Sequence, residues 1–420
     1  MRGGSLVWHD GIGAARVDEP DTPPGPDHQF LIASNTKTFT AVLVMQLRDE
    51  GMLSLDDTLD RHLPEVSHPG LTIRQCLAHV SGMQREPLGD VWETLRNPGR
   101  EQLLRDFNDA ERVHPPHRQW HYSNLVYSLL GELVARIEGR DWYDALRARI
   151  LDPLEMRRTT LGFDDSTGPH AQGYYVPPYT DVPVAEPVLD LQAMAPCGGL
   201  ASTARDLARW SAFVAEPVAE VLDPGTLEEM CQPQIMMDSE RWTSAMGLGF
   251  FLVRSGTRLY VGHTGGMPGH ITAVSTDRES RTGGIALTNS GTTPDITGFA
   301  TGLADLVTDQ DPVDPPPWRP GSDVPEDLAE LVGLWYTEGS PFEFSVREGR
   351  LEARAPSQPE HKPSSVFEKL GPDLFRTKSG REAGELLRVT RDDDDRVRKM
   401  NWATYLVTRE PYGFGQWLDR

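Results

Sequence analysis

Lysine is almost missing from this chain. Only five of its 41 basic residues are lysine, and before residue 362 the sole one is Lys37. Cysteine is equally sparse: Cys76, Cys197 and Cys231 are scattered and odd in number, which argues against a disulfide framework. Long hydrophobic runs are lacking too, since no stretch approaches the roughly 18 apolar residues of a membrane span. Positive charge is outweighed by 63 acidic residues, giving a formal net charge of -22. That balance argues against nucleic acid and anionic membranes as partners, because both need a basic footprint. There is no Gly-x-Ser-x-Gly elbow, Walker A loop or dinucleotide fingerprint, and no cofactor is expected.

The first ten residues, Met1 to Asp10, have no apolar core of signal-peptide length. With unpaired cysteines, this makes a reducing, cytoplasmic location the expectation, one that an upstream segment would weaken. The same residues read as a short strand leading to a Gly11-Ile12-Gly13 turn. At 420 residues, 38% hydrophobic and 25% charged, the chain has room for two or three soluble globular domains.

Against this background the isolated Lys37 asks for a chemical reason. Arginine stays protonated, whereas a desolvated lysine can lose its proton and act as a base. Lys37 follows Ser34 by three residues, so on a helix the amine reaches the hydroxyl. The run from Thr38 to Leu47 is apolar on more than one face, as a buried helix requires, and Gly51 is a natural C-cap. A serine at its start would open onto a cleft from an element anchored in the core.

Residues 71 to 160 read as mostly helical, with Thr72 as an N-cap, a helical repeat from Tyr127 to Glu138 and another helix from Trp142 to Leu151. The Pro-, Gly- and Tyr-rich stretch 163–198 reads as a long ordered loop fit to carry a binding surface. From Gly247 short β-rich runs, 248–254, 258–264, 271–276 and 284–289, form an antiparallel meander. Residues 311–320 hold five prolines and read as a stiff linker, dividing domain 1–310 from a β-barrel or sandwich at 321–420. Asp392 to Asp395 read as a solvated hairpin tip in preference to a calcium loop.

Two further clusters join the serine and lysine. Tyr122-Ser123-Asn124 precedes a helix, and His263-Thr264-Gly265-Gly266 ends a strand of the meander. Taken alone, Tyr122 reads more readily as a core tyrosine, Asn124 as a helix cap and His263 as a strand end. His79 reads as structural, and His114, His117 and His121 lack a fourth ligand, so no metal is expected. Together, however, Ser-x-x-Lys, Tyr-x-Asn and His-Thr-Gly in this order resemble the penicillin-recognising serine hydrolases. That superfamily includes class C β-lactamases, D,D-peptidases, D-aminopeptidases, family VIII esterases and penicillin-binding-protein-type thioesterases. The segments Leu77 to Met83, Trp120 to Asn124, Ile150 to Leu154 and Gly198 to Leu207 extend the resemblance over residues 5 to about 308. The tail resembles the lipocalin-like domain that many such proteins carry.

The resemblance implies an α+β fold: an antiparallel β-sheet flanked by helices plus an all-helical subdomain, followed by a C-terminal β-barrel. It implies Ser34 as nucleophile, Lys37 with Tyr122 as general base and acid, and Asn124 holding Lys37 and the substrate amide. The backbone N–H groups of Ser34 and Gly266 are the expected oxyanion hole, with Thr264 and Gly265 beside it. His263, counted with Ser34, Lys37 and Tyr122 among the expected catalytic residues, stands where β-lactamases have lysine. A weaker carboxylate anchor there favours esters, peptides or acyl carriers as substrates. The expected activity is cleavage of an ester or a D-amino-acid-containing peptide or amide. The alternative is an acyltransferase or peptide cyclase that resolves the acyl-enzyme with an amine. The expected partner is a small-molecule or peptide acyl substrate, free or carrier-bound.

Overall fold

A computed structural model describes residues 1–420 except 167, 293–294, 312–323, 338, 360–361, 414 and 417–420. The chain divides into two compact units, Met1–Val313 and Asp314–Arg420. Apart from Asp311, the linker expected at 311–320 lies outside the described residues.

In the first unit, six antiparallel strands form one sheet. Their order is Thr282–Thr288, His270–Asp277, Arg258–Met267, Phe251–Ser255, Ser244–Met246 and Ile235–Met236. This is the expected meander, extended by two short strands that the sequence reading did not anticipate. Successive residues of a strand face opposite ways, and Gly283 and Gly284 use this. A Cβ on Gly283 would stand 2.1 Å from Ser211 Oγ, and one on Gly284 would stand 1.8 Å from the Ala300 carbonyl. Helix Ala204–Ala215 therefore presses on one face and helix Ile296–Gln310 on the other. A second small sheet orders Phe30–Leu31, Leu200–Ser202 and Thr160–Leu161.

The helical part is centred on two long helices. In Thr36–Asp49 every residue from Thr36 to Leu47 is buried. Gly51 (φ +73°) ends this helix: its N–H bonds to Arg48 O and that of Met52 to Leu47 O, a Schellman pair. Helix Asn124–Glu138 is capped by Ser123, whose hydroxyl accepts the Val126 N–H. Thr72 and Gln75 form a reciprocal capping box on Ile73–Leu77. The helix expected at 142–151 is α-helical only to Leu146 and continues as a π-helical turn, Arg147–Leu151.

The strand expected at the N-terminus does not form. Residues 1–3 instead hydrogen-bond the edge at 281–283, and Val7 and Trp8 are left about half exposed. The segment makes only isolated bridges, Arg2 to Thr282 and Arg2 to Ser5, so its pairing stops before Val7. No helix among the described residues is long and apolar enough to cross a membrane.

The second unit is a closed antiparallel barrel of eight strands, from Gly333–Thr337 to Tyr405–Thr408. Inward alternation fills it: Phe342, Phe344, Phe367, Phe375, Trp335 and Trp402 are buried, and the Trp402 N–H bonds to Thr377 Oγ1 at 2.9 Å. The aspartates at 392–395 form its β-turn, with Asp392 accepting the N–H groups of Asp394 and Arg396.

Each unit has its own apolar core. We therefore propose that the units fold independently, and expect a nonspecific protease to cut near 311–321 and leave two stable fragments. A single resistant species would argue against that boundary.

Candidate active site

The site begins at a strained turn. After strand Phe30–Leu31 the Ile32 N–H is held by the Leu200 carbonyl at 2.9 Å, and the chain turns through buried Ala33 with φ +46°. A left-handed conformation at a residue with a Cβ costs roughly 1–2 kcal/mol, which the surrounding packing must offset. Ser34 follows in a short 3-10 segment, Ala33–Asn35, that runs directly into helix Thr36–Asp49. Side chains three apart nearly eclipse there, so Ser34 and Lys37 face each other.

Lys37 is fully buried. Its Nζ donates to Ser34 Oγ at 3.1 Å, Asn124 Oδ1 at 2.7 Å and the Cys197 carbonyl at 2.6 Å. Three acceptors match the three donors of an ammonium. In the free amine, the two nearer oxygens would hold the two N–H bonds and leave the lone pair facing Ser34.

Asn124 is the first residue of its helix. Its backbone N–H bonds to Arg85 O at 2.8 Å, and its Nδ2 donates to Glu86 Oε1 at 2.7 Å. Tyr122 lies with its ring centroid 4.8 Å from Lys37 Nζ and 4.9 Å from the Arg85 guanidinium carbon. Its ring stacks on His79 at 4.3 Å. Buried His79 accepts the Ser123 N–H on Nδ1 at 3.1 Å, and desolvation pushes its pKa well down, so its imidazole is neutral.

His263 is buried too, stacked on Phe251 at 4.0 Å and 6.1 Å from the Tyr122 ring. Its Nδ1–H donates to the Thr264 carbonyl at 2.5 Å, which leaves Nε2 as a buried acceptor without a partner among the described residues. Burial first, and the Lys37 charge second, push its pKa down to about 3. At neutral pH it therefore carries no charge with which to attract a carboxylate.

Gly265 is required by distance: a Cβ there would meet the Ile32 carbonyl at 2.1 Å, so only glycine lets strand Arg258–Met267 lie against the serine turn. A Cβ on Gly266 would meet nothing within 4 Å, so the strand is open at that point. Beyond Cys197 a cleft of about 520 Å³ opens, lined in part by Leu161, Phe163, His170, Val188, Leu191 and Gly199. Most of it comes from the loop expected to carry a binding surface.

The three motifs thus converge. Reasoning from sequence missed the Cys197 carbonyl and Glu86. A backbone carbonyl leaves no mark in a sequence, and Glu86 gains meaning only from the docking of its loop on a helix 38 residues further on. Among the described residues no group of His, Cys, Asp and Glu could hold a metal ion.

Comparison with known proteins gives a family match for each part of the chain. The Beta-lactamase family matches residues 1–308, and a Domain of unknown function (DUF7586) matches residues 324–409. Beta-lactamase-like protein 2 of Dictyostelium discoideum is 32% identical over 242 residues, 54% of this chain and 43% of the relative. Protein flp of Staphylococcus aureus (strain MW2) is 29% identical over 224 residues, 52% of this chain and 44% of its own. The match thus spans under half the length of these curated relatives. The D-amino acid amidase of Ochrobactrum anthropi SV3 is 27% identical with a TM-score of 0.56, covering 70% of this chain and 86% of the amidase. The octameric penicillin-binding protein homologue from Pyrococcus abyssi shares the fold, with TM-score 0.65 and 22% identity over 97% and 94% of the two chains.

Burial sets a pH dependence of stability. Against an ordinary imidazole value of 6.5, His263 lies at about 3, His270 at about 4 and His79 well below, each chiefly through desolvation. Between these values and 6.5 the unfolded chain binds more protons than the folded one. Stability is therefore complete above pH 6.5 and falls as pH drops toward 4. We expect His263→Gln to reduce the slope of unfolding free energy against pH by up to one proton, about 1.4 kcal/mol per pH unit. The difference from the parent isolates His263 from carboxylates that titrate in the same range. An unchanged slope would mean that His263 is not held neutral.

Proposed function

The chain belongs to the beta-lactamase family and is a serine hydrolase, and from that premise we propose that it cleaves amides through an acyl-enzyme on Ser34. The observation that carries this reading is the Lys37 amine, buried and tied to Asn124 and Cys197 with its remaining position on the Ser34 hydroxyl. Similarity to a D-amino acid amidase supports an amide substrate with a D-configured acyl residue.

Attack of Ser34 Oγ on the carbonyl passes the hydroxyl proton to Lys37 as free amine. Two anchored N–H bonds keep the base aimed while the charge forms. The carbonyl oxygen takes negative charge next to the backbone N–H groups of Ser34 and Gly266, and the open face at Gly266 gives it room. Collapse of the tetrahedral species breaks the C–N bond. The leaving nitrogen takes a proton by way of Tyr122, which Lys37 then reprotonates. Water, activated by the same base, resolves the ester and returns the proton to Ser34. Asn124 has a share in both halves, since it holds Lys37. His263, uncharged, packs beside Tyr122 and supplies shape where a cation would supply attraction. Thr264, within the strand, holds the His263 ring through its carbonyl, and the 520 Å³ cleft would receive the acyl side chain.

Incubation with D-amino acid amides and with ester and thioester mimics of D-terminated peptides, read by mass spectrometry, tests this. Hydrolysed product is expected, with a transient acyl adduct on the Ser34 peptide, and neither in Ser34→Ala. Product joined to an amine would make the enzyme an acyltransferase or cyclase. An adduct that persists in Ser34→Ala would reassign the nucleophile.

A further inference from the structure

We propose that Glu86 is a positioning residue: it turns the Asn124 side-chain amide so that its oxygen, and not its nitrogen, faces Lys37. The proposal rests on the acyl-enzyme reading above and deepens it.

An asparagine amide has two ends of nearly equal size and opposite hydrogen-bonding sense, so its orientation is decided by its neighbours. Asn124 has one neighbour at each end. A carboxylate accepts and does not donate, so Glu86 Oε1, at 2.7 Å, selects the NH2 end. Oδ1 is then directed at Lys37 Nζ, also at 2.7 Å. With the amide reversed, an NH2 group would face the amine. It would meet an ammonium donor to donor, or it would draw the lone pair of the free amine away from Ser34. Glu86, which touches neither Ser34 nor Lys37 by any hydrogen bond in the described structure, thus decides where that lone pair points.

Glu86 is itself held by contacts that do not involve the reacting groups. The Gln84 side chain donates to the Glu86 carbonyl at 2.8 Å, and the Gln84 backbone N–H bonds to Glu111 O at 2.8 Å. Ser123 Oγ donates to the Gln84 carbonyl at 2.7 Å. Next in the chain, the Arg85 carbonyl takes the N–H groups of both Asn124 and Leu125, at 2.8 and 3.1 Å. The loop therefore grips Asn124 twice, its backbone through Arg85 and its side chain through Glu86. The Arg85 guanidinium, 3.5 Å from Glu86 Oε1, balances the carboxylate's charge without displacing the amide.

A double-mutant cycle on the full chain tests the assignment, with the rate of fluorophosphonate labelling as readout and KM separated from kcat on an amide substrate. Glu86→Gln keeps the volume but can turn either end of its own amide to Asn124, which frees Asn124 to reverse. Labelling is expected to slow about tenfold, with the loss in kcat and not in KM. In an Asn124→Ala background the same change should cost less than twofold, because no amide is left to orient. Equal losses in both backgrounds, a loss confined to KM, or no loss at all would overturn the assignment. Undiminished labelling of Ser34→Ala would instead remove the acyl-enzyme reading on which it rests.

Discussion

Lys37 buries an amine completely, and the rest of the site is arranged around that burial. An unpaired buried cation costs on the order of several kcal/mol, so each N–H must find an oxygen. The three oxygens come from separate parts of the chain: Ser34 from the same turn, Asn124 from a helix 87 residues on, and the Cys197 carbonyl from the short helix Ala195–Gly198, 160 residues on. Satisfying one amine therefore joins the serine turn, the long helix Asn124–Glu138 and the short helix beside the cleft. It also turns a stability problem into a catalytic geometry, because the acceptors that pay for burial also aim the base.

The neighbouring groups are placed by packing more than by charge. Tyr122 is stacked on His79, and His263 on Phe251. Both imidazoles are kept neutral by burial. A lysine at position 263 would place a second charge within electrostatic reach of Lys37. The histidine leaves Lys37 as the one buried Lys or Arg side chain among the described residues and leaves substrate attraction to shape.

Much of this was legible in the sequence, for physical reasons. Ser34 and Lys37 are related by helical spacing, and Tyr122 and Asn124 by two residues at a helix start. Both are local relations that survive any packing. The meander was legible in its alternation, and the barrel in its inward aromatics. What escaped depends on distant partners. The Cys197 carbonyl has no side-chain signature, and Glu86 is one acid among 63 until its loop docks on the Asn124 helix. Of the expected N-terminal strand only the pairing of residues 1–3 with the edge at 281–283 forms. The burial of His263 follows from Phe251, a residue that no motif marks.

The central claim is that Lys37 accepts the Ser34 proton, and Lys37→Arg tests it most directly. Arginine preserves a positive charge and most of the reach. A structural or ion-pairing role should thus survive with modest loss. Guanidinium cannot give up its proton, and its planar fork does not fit where a compact amine meets three oxygens. The account predicts that the acylation rate, measured by covalent labelling, falls about 100-fold or more, while the variant remains folded. Retention of more than about a tenth of the parent rate would contradict it and make Lys37 a structural cation.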